Sequence, residues 1–423
     1  MVKRPSIPGS LRSPPQAGGP PAPERRTRGD LLVAAAIVAV VAVTAGLIWW
    51  TSDARATVSR PAATPVPALK SARDVPTTLR ELWTAASPAT TQPVLAAGAV
   101  VTGAGRQVDG RDPATGAVLW SFARDVDLCG VTSVYQDAVA VYPDARGCGQ
   151  VSTIDGKTGR RGPTRTAYAD PEVRLSTDGT TVLSAGDSRL EQWRSDMVRM
   201  NSYGALDARI KPDVPAQPLC RLVSAAASPA AVSVIESCPQ QPDERLTLLR
   251  PDKEEDQPLV KHVALPGVPA DSDARVIAVS ETTTAVYLPT PKPTVNVVDE
   301  TGTTVSSTLL PKPASPDATM SRAGDLITWW TGDSVMVFDA NGLHYRYTVS
   351  PVGGQAPVGP ATMLAGKLLV PVTTGYDVFN SQTGAGQSHI QLSRPASPAP
   401  VVPAVAGSTL LEQRGATLVA LGA

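Results

Sequence analysis

A short polar turn motif recurs along the chain at a nearly constant spacing, and this repetition constrains the fold more than any other feature. Each copy follows a run of alternating residues and begins with Asp or Asn. One or two linker residues come next, and the copy ends with Thr or Asn followed by Gly. The five copies occupy 112–116, 155–159, 299–302, 339–342 and 380–384. Their final glycines lie 43, 143, 40 and 42 residues apart, and the long interval divides into three units of about 48. A period of 40 to 50 residues indicates one supersecondary unit repeated along the chain.

The segments between these turns have the pattern of short β-strands. Beyond residue 79, β-branched runs such as 138–142, 231–235 and 284–288 are bounded by turn residues, and no helical period persists over three turns. In the turns, Asp or Asn accepts hydrogen bonds from backbone N–H groups ahead, and Gly supplies the positive φ of a tight hairpin. Four strands in 40 to 50 residues form one blade of a β-propeller, whose ring leaves few exposed strand edges.

The ends of the repetitive region indicate how such a ring closes. Residues 418–421 have the pattern of the strand before the turn, but the chain stops there, whereas 79–83 has the pattern of the strand after the turn. The two pieces complete one blade. The sequence therefore predicts an all-β, eight-bladed β-propeller over 79–423, with units near 92–122, 128–165, 170–208, 216–262, 273–312, 318–350, 358–392 and 399–423 with 79–84. The third and fourth units lack a clean turn motif, so seven blades is the alternative.

One copy of the repeat carries a family resemblance. Residues 108–120 read VDGRDPATGAVLW, with Asp112, Thr115, Gly116 and Trp120 in the order D-x-x-T-G-x-x-x-W. This pattern resembles the blades of the PQQ-dehydrogenase-like, or quinoprotein-type, β-propellers, a family that includes the outer-membrane assembly lipoprotein BamB. The other copies diverge further: Pro163 stands where Trp is usual, and the turn at 299–302 is one residue short. The resemblance covers most of 79–423 and implies a BamB-like architecture.

The resemblance raises the question of a cofactor. Quinoprotein dehydrogenases pair their quinone with Ca²⁺ and typically stack it on a disulfide between adjacent cysteines, but no two cysteines of this chain are adjacent. The acidic residues at 252–256 and the pair Asp271 and Asp273 are predicted to be solvated loops, because a Ca²⁺ loop needs more ordered oxygen ligands and a turn glycine. We therefore expect no cofactor and no metal, and we carry no cofactor residue over from the family.

The four cysteines are predicted to form two disulfides. Cys129 opens the first strand of a unit and Cys148 follows its second strand, and Cys220 and Cys238 repeat this arrangement with separations of 19 and 18. These positions are neighbours in an antiparallel hairpin, which favours Cys129–Cys148 and Cys220–Cys238 among the three possible connectivities. Each bond contributes about 3 kcal/mol by restricting the unfolded chain. Metal ligation is the alternative, but the C-x-x-C spacing typical of zinc sites is absent from the sequence.

Few residues have a pattern that indicates catalysis. The three histidines, His262, His344 and His389, fall in different units and are expected in turns or on the surface. No G-x-S-x-G nucleophile motif is present in the sequence. Trp83, Trp120 and Trp193 are expected to pack between blades. The adjacent pair Trp329 and Trp330 must point to opposite faces of a strand, so we expect one in the core and one exposed, where it would contact a partner.

An apolar segment precedes the repeats. Residues 31–50 read LLVAAAIVAVVAVTAGLIWW, without a charge, and a helix of this length spans the ~30 Å hydrocarbon layer. Basic residues outnumber acidic ones before it, which places the N-terminus in the cytoplasm by the positive-inside rule: Lys3, Arg4, Arg12, Arg25, Arg26 and Arg28 against Glu24 and Asp30. The sequence therefore predicts a single-pass protein of the plasma membrane. The alternative is a cleaved signal peptide, because Ala54 and Ala56 form a small-x-small site.

Two Pro-rich segments flank this span. Residues 1–30 contain seven prolines and are predicted to be a disordered cytoplasmic tail, and residues 51–78 are predicted to be a flexible linker. A flexible segment of that length has a mean span of about 30 Å, so the domain at 79–423 would stand away from the membrane, outside the cytoplasm.

Composition narrows the function. Lys plus Arg and Asp plus Glu both number 38, so no basic field is available to hold nucleic acid. The leading hypothesis is a non-catalytic, membrane-tethered propeller that acts as a scaffold for a protein or an envelope component, by analogy of fold. The abundance of Ala, Pro and Thr is typical of actinobacterial envelope proteins, which favours cell-wall or export partners. The alternatives are a quinone- or sugar-dependent enzyme that uses the central funnel, and a ligand-binding sensor that signals through the cytoplasmic tail.

Overall fold

The computed structural model describes residues 27–205, 220–253, 257–351, 353–395 and 399–423. The predicted cytoplasmic tail lies outside the described residues up to position 26. The chain forms two compact units, 1–55 and 56–423, and each is considered by itself.

The first unit contains one long helix, α1, Arg28–Trp50, followed by the short α2, Asp53–Ala56. Thr27 begins α1 with a capping box: the Asp30 backbone N–H donates to Thr27 Oγ1 at 3.2 Å, and the Thr27 N–H donates to Asp30 Oδ2 at 2.8 Å. The helix has 23 residues and is long and apolar enough to cross a membrane, as predicted. A signal sequence near the N-terminus would have the same properties.

The second unit consists of short strands, as the β-branched runs predict. Those of its first half are β1 Val58–Arg60, β2 Arg80–Ala86, β3 Val94–Ala96, β4 Ala99–Ala104, β5 Gln107–Arg111, β6 Val118–Ala123, β7 Gly130–Val134, β8 Asp137–Asp144, β9 Gly147–Asp155, β10 Arg161–Thr166, β11 Arg174–Thr177, β12 Thr181–Ala185, β13 Arg189–Arg194, β14 Arg199–Gly204, β15 Arg221–Ala227, β16 Val232–Ser237, β17 Asp243–Arg250 and β18 Leu259–Pro269. Those of its second half are β19 Arg275–Val279, β20 Thr283–Leu288, β21 Thr294–Asp299, β22 Thr304–Leu309, β23 Thr319–Ala323, β24 Leu326–Trp330, β25 Val335–Asp339, β26 Tyr345–Val349, β27 Thr362–Leu364, β28 Lys367–Val372, β29 Gly375–Asn380, β30 Gly386–Gln391, β31 Val401–Ala406, β32 Thr409–Arg414 and β33 Thr417–Gly422.

These strands form eight antiparallel sheets, which are the blades of an eight-bladed propeller. Blades 2 to 7 each contain four consecutive strands, from β7–β10 to β27–β30. Blade 1 contains β3–β6, and β1 adds a fifth strand to its outer edge, where Val58 pairs with Ala123 and Arg60 with Ser121. Blade 8 contains β31–β33 and β2. The alternative of seven blades is therefore wrong.

The ring closes as the two chain ends predict. β2 pairs antiparallel with β33, with Arg80 opposite Gly422 and Ala86 opposite Thr417. The hydrophobic core is divided among the junctions between blades: eight clusters of buried residues each join one blade to the next, and the last joins Val100 of blade 1 to Leu411 and Leu418 of blade 8. Both faces of every sheet are thus covered, because each blade packs between two others.

The repeated turns connect the third and fourth strands of blades, and their polar residues act as the sequence predicts. Asp112 Oδ1 accepts the backbone N–H groups of Ala114 at 3.0 Å and Thr115 at 2.9 Å. Asp155, Asp299, Asp339 and Asn380 accept equivalent bonds in their own turns. Blade 3 uses another turn, in which Met197 takes the positive φ of 63°. This difference explains why its motif is absent from the sequence.

The turn also receives an aromatic side chain from the preceding blade. Trp120 of blade 1 donates its indole N–H to the Gly156 carbonyl of blade 2 at 2.9 Å, and a Cβ on Gly159 would lie 2.3 Å from Trp120. Trp83 of blade 8 donates in the same way to the Pro113 carbonyl of blade 1 at 2.9 Å. The Trp and Gly of the repeat therefore meet across a junction between blades rather than within one blade.

The meander gives the ring two distinct faces. The turns after the first and third strands of each blade lie at one end, which we name the turn face. The turns after the second strands and the connections between blades lie at the other end, which we name the loop face. This assignment follows from the antiparallel strand order in each sheet.

The predicted free linker at 51–78 is wrong from residue 58 onward. After β1, the segment 61–79, which we name the strap, follows the turn face. The backbone N–H of Val66 donates to the Lys157 carbonyl at 2.8 Å, and that of Ala72 donates to the Gly407 carbonyl at 3.3 Å. At its end the strap leaves the turn face: the Leu79 N–H donates at 2.9 Å to the carbonyl of Gln391, the last residue of β30 in blade 7. Prolines permit this extended course because the strap bonds to turns and not within a regular ladder.

Candidate functional site

A funnel lined by the first strands of blades 3 to 6 is the candidate site. Near the loop face it holds a cavity of about 340 Å³, and further along the same strands a second cavity of about 290 Å³. The two share Ser176 of β11 and Ala225 of β15. Thr91 and Gln92, from the connection between blades 8 and 1, reach the second cavity. Small side chains along β11 and β15 leave this space open, since bulkier residues would fill it.

Three arginines mark the loop-face end of the funnel. Arg174, Arg221 and Arg275 are the first residues of β11, β15 and β19, in three consecutive blades. We name them the arginine arc. Arg174 and Arg275 line the first cavity with the hydroxyl groups of Ser176, Ser224 and Ser272 and with Asp273.

Contacts with the loops fix the positions of the arginines. Arg174 pairs with Asp187 at 3.3 Å, and Arg221 pairs with Asp271. Arg275 donates to the backbone carbonyls of Pro316 at 3.0 Å and Ala318 at 3.3 Å, in the connection to blade 6. Burial lowers the pKa of the Arg275 guanidinium, and the nearby Asp273 carboxylate opposes that shift. An arginine keeps its charge under such conditions, so Arg275 is a cation at the funnel mouth.

Two disulfides hold the loops of the loop face. Cys129–Cys148 and Cys220–Cys238 are both formed, as the sequence predicts. Each joins the residue just before the first strand of a blade to the hairpin of its second and third strands: Cys148 is the second residue of β9 in blade 2, and Cys238 directly follows β16 in blade 4. Blade 3, which supplies Arg174, lies between them. Covalent closure of these loops limits their motion, which lowers the entropy lost when a ligand binds.

Buried carboxylates reinforce the same end of the ring. Glu412 of blade 8 is fully buried and accepts hydrogen bonds from Arg394 at 2.6 Å, from Arg414 at 2.6 Å and from the Tyr376 hydroxyl. Burial alone would raise the pKa of Glu412, but the bonds and charges of Arg394 and Arg414 hold it below its ordinary value. The cluster joins blade 7 to blade 8.

The predicted exposure of one indole in the pair Trp329 and Trp330 is wrong. The two side chains do point to opposite faces of β24, but they are only 1% and 8% exposed. Trp329 packs against Tyr287 of blade 5, and Trp330 donates its indole N–H to the Pro357 carbonyl at 2.8 Å on the other side. Both faces of a blade are covered by its neighbours, so neither indole presents a surface to a partner. Trp120 and Trp193 are also buried between blades, as predicted.

The structure keeps the three histidines apart. His262, His344 and His389 are exposed and belong to blades 4, 6 and 7. His389 Nδ1 lies 2.7 Å from Asp377 Oδ1 on the adjacent strand, and His262 Nδ1 lies 2.9 Å from the Thr247 hydroxyl. None of them lines either funnel cavity within the described part of the chain.

Three buried residues are of types that bind metal ions, but two of them are cysteines joined in a disulfide. Cys220, Cys238 and Glu236 lie close together. Metal ligation requires thiolates, whereas both sulfur atoms are held in a disulfide. Glu236 is bound instead by Arg245 at 2.8 Å and by the Tyr203 hydroxyl at 3.0 Å.

The sequence interpretation missed the arginine arc. A signal was present: Arg174, Arg221 and Arg275 are each followed by an aliphatic residue at the start of a β-branched or small-residue run, with spacings of 47 and 54 residues. Aligning the repeats by their first strands would have placed these arginines at one equivalent position. The turn motif directed attention to the other end of each blade.

Comparison with known proteins identifies the fold only. No protein-family model matches the chain, and no curated protein matches it. Among solved structures, the C-terminal WD40 domain of Sif2 is similar at 10% identity with a TM-score of 0.51, over 83% of this chain and 99% of that one. The chain is also similar to BamB from Moraxella catarrhalis at 14% identity and a TM-score of 0.46, over 82% and 98% of the two chains. Sqt1 from Saccharomyces cerevisiae is similar at 11% identity and 0.49, over 84% and 99%.

Proposed function

We propose that this chain is a non-catalytic, membrane-tethered scaffold whose propeller lies outside the cytoplasm and binds a protein partner through its loop face. The observation that carries the proposal is the contrast between the faces. The strap lies on the turn face, whereas the loop face presents an open funnel beside disulfide-held loops. Fixed loops around a ring end suit recognition of a protein surface.

The membrane tether and its orientation are part of this proposal. α1 has the length and composition of a transmembrane helix, and the residues before it are predominantly basic. The two disulfides also favour an oxidising compartment, because disulfides persist outside the cytoplasm. Alkaline phosphatase fused after Ala423 should be active in cells, and the helix should remain on the purified protein. An inactive fusion, or cleavage near Ala56, would contradict the orientation or the tether.

We further propose that the blades are quinoprotein-type repeats in an envelope protein of actinobacterial type. The contacts of Trp120 with Gly159 and of Trp83 with Gly116 support the repeat assignment, since they use the Trp and Gly of the motif. The residues that line both funnel cavities, all within the described ranges, include neither His nor Cys. The acid–base groups in the two linings are the carboxylates of Asp273 and Asp178, and Asp178 accepts the backbone N–H groups of Thr180 at 2.6 Å and Thr181 at 2.7 Å in its own turn. This arrangement favours binding over acid–base chemistry. Stoichiometric quinone absorbance or tightly held metal in the purified full-length protein would favour the enzyme alternative.

The experiment that tests the scaffold is site-specific photocrosslinking in intact membranes. A photoreactive amino acid at Gln241, an exposed residue of the loop face beside Cys238, is expected to give a discrete protein adduct, identified by mass spectrometry. The matched control places it at Lys157, in a turn beneath the strap. Equal adducts from both sites, or no adduct from loop-face positions, would contradict the proposal.

A further inference from the structure

The three residues of the arginine arc occupy the same position in their blades, but they differ in whether a carboxylate neutralises their charge. Arg221 forms an ion pair with Asp271, and Arg174 forms one with Asp187 in which both side chains are more than half exposed. Among the described residues, no carboxylate forms a salt bridge with Arg275. Its guanidinium binds backbone carbonyls instead, including that of Asp273 at 3.3 Å. Arg275 is therefore held in place without a directly bound anion.

The residues that line the cavity between Arg174 and Arg275 carry two positive charges and one negative charge, and the carboxylate of Asp317, outside the lining, also acts on Arg275. Its charged lining residues are these two arginines and Asp273, whereas Asp187, Asp271 and Arg221 lie outside it. The hydroxyls of Ser176, Ser224 and Ser272 add polar groups to the wall. Glu244 lies behind Ser272, whose hydroxyl donates to Glu244 Oε2 at 3.1 Å. Burial raises the pKa of Glu244, and the Ser272 hydrogen bond and the charge of Arg221 oppose that shift.

We propose that this cavity binds a carboxylate side chain of the protein partner, held between Arg174 and Arg275. The charge of a guanidinium group attracts a carboxylate. The Nε and Nη1 atoms of Arg275 bind backbone carbonyls, which leaves its Nη2 to donate to the ligand, and the serine hydroxyl groups supply further hydrogen bonds. A volume of about 340 Å³ holds one acidic side chain with its flanking backbone. The aliphatic wall, formed by Leu183, Val223 and Pro316, suits the methylene groups of glutamate. This inference rests on the proposed function, since it assumes that the ligand is part of a protein.

The test uses the full-length protein in detergent and a fluorescein-labelled peptide of alternating Gly and Glu, with binding followed by fluorescence anisotropy. Substitution of either lining arginine, Arg174→Gln or Arg275→Gln, is expected to weaken binding about tenfold, because each removes a charge-assisted hydrogen bond. The matched control is Arg221→Gln. It removes the same charge at the same strand position but outside the cavity, and its effect is expected to stay below about twofold.

A second variant distinguishes a loss of binding from a loss of folding. Ser176→Asp keeps both arginines and places a carboxylate inside the cavity, where it should compete with the peptide and weaken binding about tenfold. Melting temperatures of all variants, measured beside the wild type, separate lost binding from lost structure.

Three outcomes would overturn the inference. Equal loss in Arg221→Gln would indicate a diffuse field rather than a site. Equal binding of a Gly and Gln peptide would exclude carboxylate recognition. Displacement of the peptide by inorganic phosphate at lower concentration than by free glutamate would indicate a site for a small anion. If the peptide does not bind while the Gln241 crosslink persists, only the carboxylate site is wrong. If that crosslink is also absent, the scaffold proposal fails with it.

Discussion

The two faces of the propeller differ in what the chain itself places on them. On the turn face, the strap bonds to turns of blades 2 and 8, and polar Asp and Asn side chains are used within their own turns. On the loop face, arginines at the starts of strands border an open cavity beside two disulfide-held loops. Both ends of the ring therefore stabilise the fold, and the loop face adds an open cavity bordered by arginines.

The largest effect is expected from the loop-face junction of blades 7 and 8. Glu412→Ala would leave Arg394, Arg414 and Tyr376 without their buried partner, which should destabilise the protein by about 3–5 kcal/mol. Chemical denaturation of the full-length protein in detergent measures this loss. The control is Glu81→Gln, at the more exposed end of the same network, with an expected cost below about 1 kcal/mol. Similar losses of unfolding free energy in both variants would show that the buried cluster stabilises the protein no more than the exposed ion pair does.

A smaller effect is expected from a turn-face glycine. Gly159→Ala would place a Cβ 2.3 Å from Trp120 at a φ of 69°, so the turn or the indole must shift, and we expect a cost of about 2 kcal/mol. Gly105→Ala tests the backbone contribution alone. Its φ is 55°, and nothing lies within 4 Å of the added Cβ, so its cost should stay near 1 kcal/mol. Equal unfolding free energies for the two variants would mean that the Trp contact contributes nothing.

Acidification should destabilise the protein through its buried carboxylates. The pKa of Glu412 is lowered in the folded protein, and Arg165 and Arg189 similarly hold the pKa of buried Glu191 below its ordinary value against the opposing effect of burial. The stabilisation is therefore complete above the unfolded pKa of about 4.3 and is lost as the pH falls through the folded values. A fall of about 2–4 °C in melting temperature per kcal/mol lost is expected below about pH 4. Glu412→Gln should flatten this dependence, and an unchanged slope would refute the assignment to Glu412.

The smallest effect concerns the strap. Trypsin can cut after Lys70 and Arg73 only if the segment leaves the turn face, so cleavage in the native protein should be slow. Val66 is a buried residue of the strap itself, and Val66→Ala should cost about 1 kcal/mol and speed cleavage about fivefold. Val58→Ala, at an exposed position of β1, should leave the rate unchanged. If mass spectrometry shows rapid cleavage of the wild type, the strap is not packed on the propeller and the segment is a flexible linker.

The features that could be predicted from the sequence are those fixed by local chemistry. Asp112 and Gly116 specify a turn through their own side chain and backbone, and the complementary ends at 79–83 and 418–421 specify closure of the ring. The cysteine pairs could be predicted because hairpin geometry brings their positions together.

The remaining features depend on contacts between blades. Val58–Arg60 is too short for a β pattern and becomes a strand only against β6. Trp330 is buried because blade 7 covers a sheet face that would be exposed in an isolated hairpin. The arginine arc forms because the first strands of three blades start near one cavity. The sequence of a single repeat does not encode this grouping.

Because β2 pairs with β33, the ring cannot close until the last strand has been synthesised. β2 emerges more than 300 residues before its partner, so the growing chain is an unclosed series of sheets until the final segment arrives. A premature stop that removes only 417–423 would delete one strand, yet it would also leave β2 and β32 with bare edges at either side of a gap. Proteases that recognise exposed strand edges would thus distinguish nearly complete chains from complete ones.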